Sequence, residues 1–331
     1  MYDTYISMGD YICVSPMKIG VKLKDETWGA KLAEFLKTCD KDLAIVASGS
    51  SYNAALLAKE IYAKHLGIHT DVIYTNSFVS CDNQVYDKYI LLTQNADEES
   101  FEKAISKLNE MAKDYIVVSD AEGYKKTDRF KHEYLDVHNE LVVFSTIGFT
   151  FELFMLYKAL YMAKGLDLKE LDKALEVNRN LIFEAECFGK EHQELFQMSR
   201  LNIISSGNLM GIAKELALKV KESMMVATSA HETEDFIYAG AMGIKEEDYI
   251  FIIADKTNLE LSLKLKEKLE TLTEHIYFFD MSEKLDGDLL VLAAIAYFQT
   301  VCFKMNYSNG NLIPIVNDKY TEFKESMDLK D

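Results

Sequence analysis

Proline, cysteine and basic residues are scarce in this chain of 331 residues. It contains two prolines, five cysteines and one tryptophan, and its 36 Lys and Arg residues are outnumbered by 54 Asp and Glu residues. The formal charge of −18 argues against nucleic acid and against anionic membranes as partners, because an acidic surface is repelled by both. Any anionic ligand is therefore expected to depend on local hydrogen-bond donors.

Paired cysteines and long apolar runs are also missing. The cysteines are odd in number, scattered and without a CxxC spacing, which favours reduced thiols over a disulfide framework or a zinc site. The chain has no run of 18 apolar residues and no recognisable signal peptide. We therefore expect a cytoplasmic protein that does not enter a membrane, and we expect neither a metal nor a cofactor.

The chain does contain one structural unit twice. The apolar run 43–47 leads into Ser-Gly-Ser-Ser and an amphipathic stretch, and the run 201–204 leads into Ser-Ser-Gly-Asn and another amphipathic stretch. The glycines of these two turns lie 158 positions apart, and two further pairs of apolar runs lie about 160 positions apart. Landmarks that stay in register over this distance predict a duplicated α/β domain.

Short apolar runs alternate with amphipathic stretches in each half, which predicts parallel sheets with helices on both faces. The fold class is therefore α/β, with two tandem flavodoxin-like (Rossmann-like) domains of three αβα layers. We expect a lead-in over 1–24, a first domain over 25–165, a second domain with bridging helices over 166–310, and a tail over 311–331.

Three loops carry residues that suit a ligand. Gly49 permits a tight turn, and Ser50 and Ser51 add hydroxyl donors where a helix begins. An ordinary strand-to-helix turn with serine caps is the alternative interpretation. The second loop offers Thr93, Gln94 and Asn95 at a strand's carboxyl end, although the acidic residues that follow would repel a phosphate.

The third loop contains Ser145 just before a helix, where a capping role is the alternative. The strongest chemical signal lies on another helix. Glu215, Lys219 and Glu222 are spaced i, i+4 and i+7, so they share one helical face. A solvated face with weak ion pairs is the alternative interpretation, but a carboxylate beside a lysine also suits a general base.

These residues together resemble a known family. The sequence Ser-Gly-Ser-Ser-Tyr-Asn-Ala at 48–54, the Gln94 loop, the spacing of Glu140 and Ser145, and the helix at 213–222 resemble the double-SIS (sugar isomerase) family. The resemblance runs from about residue 8 to residue 324. Within that family, the sequence is similar to the isomerase half of glucosamine-6-phosphate synthase and to fructosamine-6-phosphate deglycases.

The resemblance implies roles for the loop residues. The first loop, with Ser50 and Ser51, and the second loop, with Thr93 and Gln94, would hold a sugar phosphate, and Ser145 would contact the sugar through its backbone. Gly49 belongs to the same first loop. Family members are usually dimers, so the resemblance also implies a homodimer with its site at or near the interface.

The resemblance further implies that Glu222 shuttles a proton between C1 and C2 of the sugar, with Lys219 on the same face. Glu215 is a candidate substrate-binding residue on that face. Tyr238 stands where the family has a histidine that assists ring opening, and a phenol with a pKa near 10 is a poor substitute for imidazole. Lys324 stands near the position expected of a tail lysine.

Other departures from the family's pattern are expected to weaken phosphate binding. Asn95, Ala96 and Glu98 replace a serine, a glycine and a threonine of the family's second loop. Asn95 is retained as a candidate substrate-binding residue. The sequence thus predicts an isomerase or deglycase that acts on a sugar phosphate or an aminated sugar. A sensor that binds a carbohydrate derivative without turnover is the alternative, and an unrelated solute-binding or structural role is a third.

Overall fold

The computed structural model describes residues 7–81, 86–94, 99–126, 130–137, 140, 145–285 and 287–307. Asn95, Lys324 and the tail predicted over 311–331 lie outside the described residues.

Nine described strands form two sheets in which every pairing is parallel. The strands are β1 Asp42–Ala47, β2 His69–Tyr74, β3 Lys88–Leu92, β4 Asp114–Ser119, β5 Lys131–Tyr134, β6 Arg200–Ser205, β7 Ala227–Glu232, β8 Tyr249–Ala254 and β9 Ile276–Asp280. The first sheet has the order β2-β1-β3-β4-β5, and the second has the order β7-β6-β8-β9. The first is the flavodoxin-like order, and the second repeats its first four positions.

Eleven described α-helices connect and cover the sheets. They are α1 Met8–Lys24, α2 Ala30–Lys37, α3 Gly49–Leu66, α4 Thr75–Ser80, α5 Glu99–Glu110, α6 Ile147–Lys164, α7 Lys169–Glu191, α8 Met210–Met224, α9 Thr233–Tyr238, α10 Leu259–Leu269 and α11 Leu290–Tyr307. The prediction of two parallel-sheet α/β units is confirmed by this arrangement.

The strands are apolar on both faces, as buried parallel strands must be. In β1, Ile45 belongs to the core on one side of the sheet and Val46 to the core on the other. In β8, Phe251 belongs to the same large core as Ile45, and Ile252 belongs to a smaller core on the other face of the second sheet. Each sheet is therefore the middle layer of three.

One continuous core joins the two halves. Helix α3 of the first half packs against α6 and against α8 of the second half. Leu57 on α3, Phe154 on α6 and Ile212 on α8 are all fully buried in the same cluster. This packing places the beginning of α3 beside the middle of α8, where the predicted charged face lies.

Some elements were not predicted from the sequence. The predicted lead-in contains α1, whose first turn is closed by reciprocal hydrogen bonds between Ser7 and Asp10, a capping box. Tyr11 and Ile12 of this helix enter the shared core. Strand β5 (Lys-His-Glu-Tyr) lacks the apolar alternation that would reveal a strand. The domain boundaries given above stay a prediction.

One segment, Gly287–Asn306, is long and apolar enough to cross a membrane by length and composition. It largely coincides with α11, and 83% of its apolar window is buried inside the protein. Its hydrophobicity is therefore that of a central core helix, packed chiefly against α7 and α8.

Candidate active site

The two glycine turns have the same backbone conformation. Gly49 after β1 has φ +56° and Gly207 after β6 has φ +58°, a left-handed conformation that glycine adopts without steric cost. An added Cβ would meet no atom within 4 Å at either position, so the conformation alone favours glycine there. The duplicated turn inferred from the sequence is thus repeated in the backbone geometry.

The two turns differ in what occupies them. In the second half, Glu232 accepts hydrogen bonds from the Ser206 hydroxyl at 2.7 Å and from the Gly207 N–H at 3.3 Å. Glu232 pairs in register with the last residue of β6, whereas Tyr74 holds the equivalent register position in the first half. The second turn therefore binds its own carboxylate, which supports a single composite site on the first turn.

Side chains of the first turn reach across to the second half. The Ser50 hydroxyl donates to one oxygen of Glu215 at 3.0 Å, and the Asn53 amide donates to the other at 2.8 Å. Glu215 is 1% exposed. Burial raises the pKa of its carboxyl, while nearby Lys219 and the Asn53 hydrogen bond act in the opposite direction. The predicted charged face of α8 is consequently buried against the first turn.

Lys219 is the buried centre of that face. Its Nζ lies 2.5 Å from Oε2 of Glu222 and 3.6 Å from Oε1 of Glu215, and the side chain is 1% exposed. Burial alone would lower the pKa of Lys219, but the carboxylates of Glu215, Glu222 and Glu140 raise it. Lys219 is therefore held as an ammonium ion.

Glu222 differs from its neighbours in exposure. Its side chain is 32% exposed, while Lys219 beside it is 1% exposed. Glu222 therefore presents a carboxylate to solvent with an ammonium ion directly behind it.

A glutamate that the sequence analysis did not single out links the loops. Glu152, on the second turn of α6, accepts hydrogen bonds from the Ser51 hydroxyl at 2.6 Å and from the Gln94 amide at 3.0 Å. Its side chain is completely buried. The pKa of Glu152 is raised to about 8, chiefly by burial and to a smaller extent by the Glu215 carboxyl, against the opposing effect of these two hydrogen bonds.

The third predicted loop joins the same network. The Ser145 hydroxyl donates to the side-chain amide oxygen (Oε1) of Gln94 and accepts from the backbone N–H of Phe149 at 3.1 Å. A Cβ added at Gly148 would lie 2.6 Å from Cδ of Gln94, so the absence of a side chain there permits this approach. Residues of the three predicted loops are thus in one hydrogen-bonded group centred on Glu152.

The N-terminus of α6 holds a carboxylate of its own. Glu140 accepts from the backbone N–H groups of Thr146 at 2.8 Å, Gly148 at 3.1 Å and Ile147 at 3.2 Å. Burial raises the pKa of Glu140, and these three hydrogen bonds oppose that effect. Because the helix dipole also favours an anion here, Glu140 fills a place that could otherwise hold a phosphate.

Comparison with known proteins places this geometry in context. No protein-family model matches the chain. Glutamine–fructose-6-phosphate aminotransferase (isomerizing) of Sulfurisphaera tokodaii is 23% identical over 263 residues, which cover 78% of this chain and 44% of that protein. The chain thus spans less than half the length of this curated relative.

Solved structures match over nearly the whole chain. The C-terminal domain of glucosamine-fructose-6-phosphate aminotransferase from Francisella tularensis has a TM-score of 0.76 at 16% identity, covering 95% of this chain and 99% of that one. Glucosamine-6-phosphate deaminase from Thermotoga maritima has a TM-score of 0.78 at 16% identity, covering 94% and 98%. The chain has the double-SIS fold.

Some residues to which the double-SIS resemblance gives a role lie in or beside the buried network, and others lie away from it. Ser50, Ser51, Gln94, Ser145, Glu215 and Lys219 lie in or beside the buried network, with Glu222 at its exposed end. Thr93 is half-buried, and its N–H donates to the carbonyl of Val118 at 3.1 Å. Tyr238 lies on α9 and is 82% exposed. The functional roles of all these residues stay predictions.

Glu152 could have been noticed in the sequence, because it is a carboxylate within an apolar helix. It is the one carboxylate in α6, and residues 147–161 of that helix, Glu152 included, are all buried. A charged residue at a fully buried position requires partners and is often functional. Which partners it would have could not be derived, because Ser51 is 101 positions away and Gln94 is 58.

An open cleft of about 870 Å³ lies elsewhere, at the carboxyl edge of the second sheet. Ser206 and Glu232 line it together with Asp235, Lys256 and Asn258. Glu232 in this cleft is the carboxylate that accepts hydrogen bonds from the second glycine turn. The two halves of the fold therefore differ in the groups that their glycine turns contact.

Proposed function

We propose that the protein is a sugar isomerase or a fructosamine-6-phosphate deglycase, which moves a proton between C1 and C2 of an open-chain sugar phosphate or aminated sugar. The observation that carries this proposal is the pair formed by Lys219 and Glu222. A partly exposed carboxylate lies 2.5 Å from a buried ammonium group, beside loops that belong to the carboxyl edge of a parallel sheet.

The chemistry follows from this pair. Glu222 would remove the proton from the carbon next to the carbonyl, and the electrons would form an enediolate. Returning the proton to the neighbouring carbon, while the hydroxyl proton passes to the former carbonyl oxygen from the oxygen that becomes the carbonyl, completes the isomerisation with atoms and charge balanced. In the deglycase, the same shift in a fructosamine would give an imine at C1, and addition of water to that imine would release the amine. The ammonium of Lys219 would orient Glu222 and offset negative charge as it develops on the substrate oxygens.

The relatives support the same class of reaction. The matched proteins are named for reactions of fructose 6-phosphate and glucosamine 6-phosphate, both six-carbon sugar phosphates with an oxygen or an amine at C1 or C2. These names describe those proteins, and their substrates are carried to this chain as part of the proposal.

The test is hydrogen exchange in D₂O. The protein would be incubated with fructose 6-phosphate, glucosamine 6-phosphate and fructosamine 6-phosphate, and deuterium at C1 and C2 would be followed by NMR. We expect exchange with at least one sugar and its loss in Glu222→Gln. The matched control is Glu176→Gln, an exposed carboxylate on α7, which should exchange as the wild type does. Exchange that persists in Glu222→Gln would refute the assignment.

A non-catalytic sensor is the second candidate function. It is favoured by the Ser50 and Ser51 hydroxyls, which donate to the protein's own carboxylates, and by the exposure of Tyr238. A ligand that raises the melting temperature but shows no exchange in D₂O would support the sensor over the enzyme.

We also propose a homodimer. Helix α9 and the turn after it present adjacent apolar side chains to solvent, with Tyr238 82% and Met242 88% exposed. Burial of these side chains against a second copy would remove apolar surface from water. Light scattering coupled to size exclusion would measure the mass, and a monomer at micromolar concentration would refute the proposal.

A further inference from the structure

We propose that the open cleft at the carboxyl edge of the second sheet binds an amino sugar, whose protonated amine contacts Glu234 and Asp235 and whose hydroxyl oxygen accepts a hydrogen bond from Asn258. The volume of the cleft is about 870 Å³. This volume lies within the range of pockets that bind small molecules, roughly 300 to 1,000 Å³. The inference goes beyond the proposed function, because it concerns a binding site in the second half and assumes no reaction there.

The first argument concerns the position of the cleft. Its lining includes Ser206, which follows β6, Glu232, which ends β7, and residues 256–258, which follow β8. Strands β7 and β8 lie on opposite sides of β6, so the strand order reverses here. Doubly wound sheets bind ligands in the crevice at such a point. The equivalent crevice of the first half, between β1 and β3, contains the first glycine turn and Gln94.

The second argument concerns the donors of the second glycine turn. Glu232 accepts hydrogen bonds from the Ser206 hydroxyl at 2.7 Å, from the Gly207 N–H at 3.3 Å and from the Thr233 N–H at 2.6 Å. Donors of this kind would otherwise hold a phosphate at a strand-to-helix turn. Because they are directed at a carboxylate of the protein, an anionic group of a ligand is disfavoured at this turn.

The walls of the cleft add negative charge. The ionisable side chains among its described lining residues are Glu232, Glu234, Asp235, Lys256, Glu260 and Lys264. Lys264 forms an ion pair with Glu260 at 2.6 Å, which leaves three carboxylates and one ammonium group. Glu234 and Asp235 are exposed neighbours in the first turn of α9. A protonated amine that contacts them would form charge-assisted hydrogen bonds.

The third argument is a buried amide without a partner. Asn258 lines the cleft and is 9% exposed. Its Oδ1 accepts from the backbone N–H of Asp255 at 2.9 Å, and because that N–H can only donate, the contact fixes which end of the amide is nitrogen. Nδ2 has no hydrogen-bond partner among the described residues. An unpaired buried N–H costs free energy, which a hydroxyl oxygen of a ligand would recover.

These observations together define the chemistry of the ligand. The carboxylates favour a cation, and Asn258 favours a hydrogen-bond acceptor beside it. An amino sugar carries an ammonium group and hydroxyl oxygens on neighbouring carbons. A neutral sugar lacks the charge, and a simple alkylamine lacks the oxygens.

The test compares three probes that separate these features. Isothermal titration calorimetry on the full chain would measure the dissociation constants of glucosamine, glucose and ethylamine near pH 6.5, where amines are protonated. We expect glucosamine to bind at least about tenfold more tightly than either of the others. Equal binding of glucose would overturn the inference by removing the role of charge, and equal binding of ethylamine would overturn it by removing the role of Asn258.

The double variant Glu234→Gln/Asp235→Asn isolates the charge. Both side chains are exposed, so the fold should be retained. We expect the preference for glucosamine over glucose to fall about tenfold. The matched control is Glu246→Gln/Glu247→Gln, which makes the same change in charge at exposed neighbours just before β8, at the opposite edge of the same sheet. The control should keep the wild-type preference.

The variant Asn258→Ala tests the amide. We expect the affinity for glucosamine to fall toward that for ethylamine, with circular dichroism confirming that the variant is folded. A folded Asn258→Ala that binds glucosamine as the wild type does would overturn the inference.

The outcomes also separate this site from the candidate active site. Glu222→Gln should leave the affinity for glucosamine unchanged, because Glu222 does not line the cleft. Loss of glucosamine binding in Glu222→Gln, with binding retained in the double variant, would place the ligand at the candidate active site and overturn the inference. Failure of glucosamine to bind overturns it whether or not exchange in D₂O occurs. Binding that depends on the cleft residues, without exchange in D₂O, supports the inference and contradicts the proposed enzyme.

Discussion

The effect of pH on folding offers the most quantitative test of the Glu152 environment. The pKa of Glu152 is about 8 in the folded protein and 4.5 as its ordinary value. Between these values the folded state binds one more proton than the unfolded state, so the contribution of this group to stability is complete below pH 4.5 and is lost as pH rises through 8. At about 1.4 kcal/mol for each pH unit, the loss approaches about 5 kcal/mol, an upper limit that structural relaxation reduces.

The substitution Glu152→Gln removes this titration and keeps the shape of the side chain. We expect the free energy of unfolding of the wild type to fall relative to the variant by up to about 4 kcal/mol between pH 5 and pH 9, since only the three pH units from 5 to 8 contribute at about 1.4 kcal/mol each. Other buried carboxyls such as Glu140 and Glu215 are present in both proteins, so their contributions largely cancel in the difference.

Urea unfolding followed by circular dichroism would measure both proteins at pH 5, 7 and 9. The control Glu176→Gln changes an exposed carboxylate on α7 and should track the wild type within about 0.5 kcal/mol at every pH. Parallel stability curves for the wild type and Glu152→Gln would refute the reasoning, since they would mean that the carboxyl is solvated or compensated in the folded protein.

Two further predictions concern the packing of the site. Lys219→Met should destabilise the protein by about 3 to 5 kcal/mol in urea unfolding, because carboxylates are left buried without their ammonium partner. Adding Glu215→Gln to this variant should recover part of the lost stability. Full additivity of the two changes would contradict the pairing of Lys219 with Glu215. Gly148→Ala should push Gln94 away from its partners and slow the hydrogen exchange of the sugar phosphate in D₂O about tenfold. Gly123→Ala, with no atom within 4 Å of the added Cβ, should exchange as the wild type does, and equal exchange rates for the two variants would refute the close-approach argument.

The sequence predicted the repeated strand-turn-helix units correctly because their signals are local. An apolar run of five residues, a glycine and an amphipathic stretch occur within 25 residues of one another, and the second copy confirms the first. Helix α1 was missed although Ser7 and Asp10 form a capping box, because its apolar residues face a core built from distant helices. Strand β5 was missed because it has almost no apolar residues.

The candidate site was predicted in the same partial way. The i, i+4 spacing of Glu215 and Lys219 is a property of any helix, so their shared face could be read directly. The burial of that face could not, because it depends on contact between α8 and α3, which brings Glu215 to Ser50 across 165 positions of sequence. The choice between a solvated charged face and a buried site was made by that contact.

The sequence by itself determined which residues begin each turn, which face of α8 carries charge, and the duplication of the α/β unit, since each of these follows from spacing along the chain. Only the tertiary structure decided that the donors of the first turn point at carboxylates. Glu152, for example, accepts hydrogen bonds from Ser51 and Gln94, which lie on separate loops. A hydrogen-bond partner so far away in sequence is fixed by the packing of whole elements, and local preferences carry no information about it.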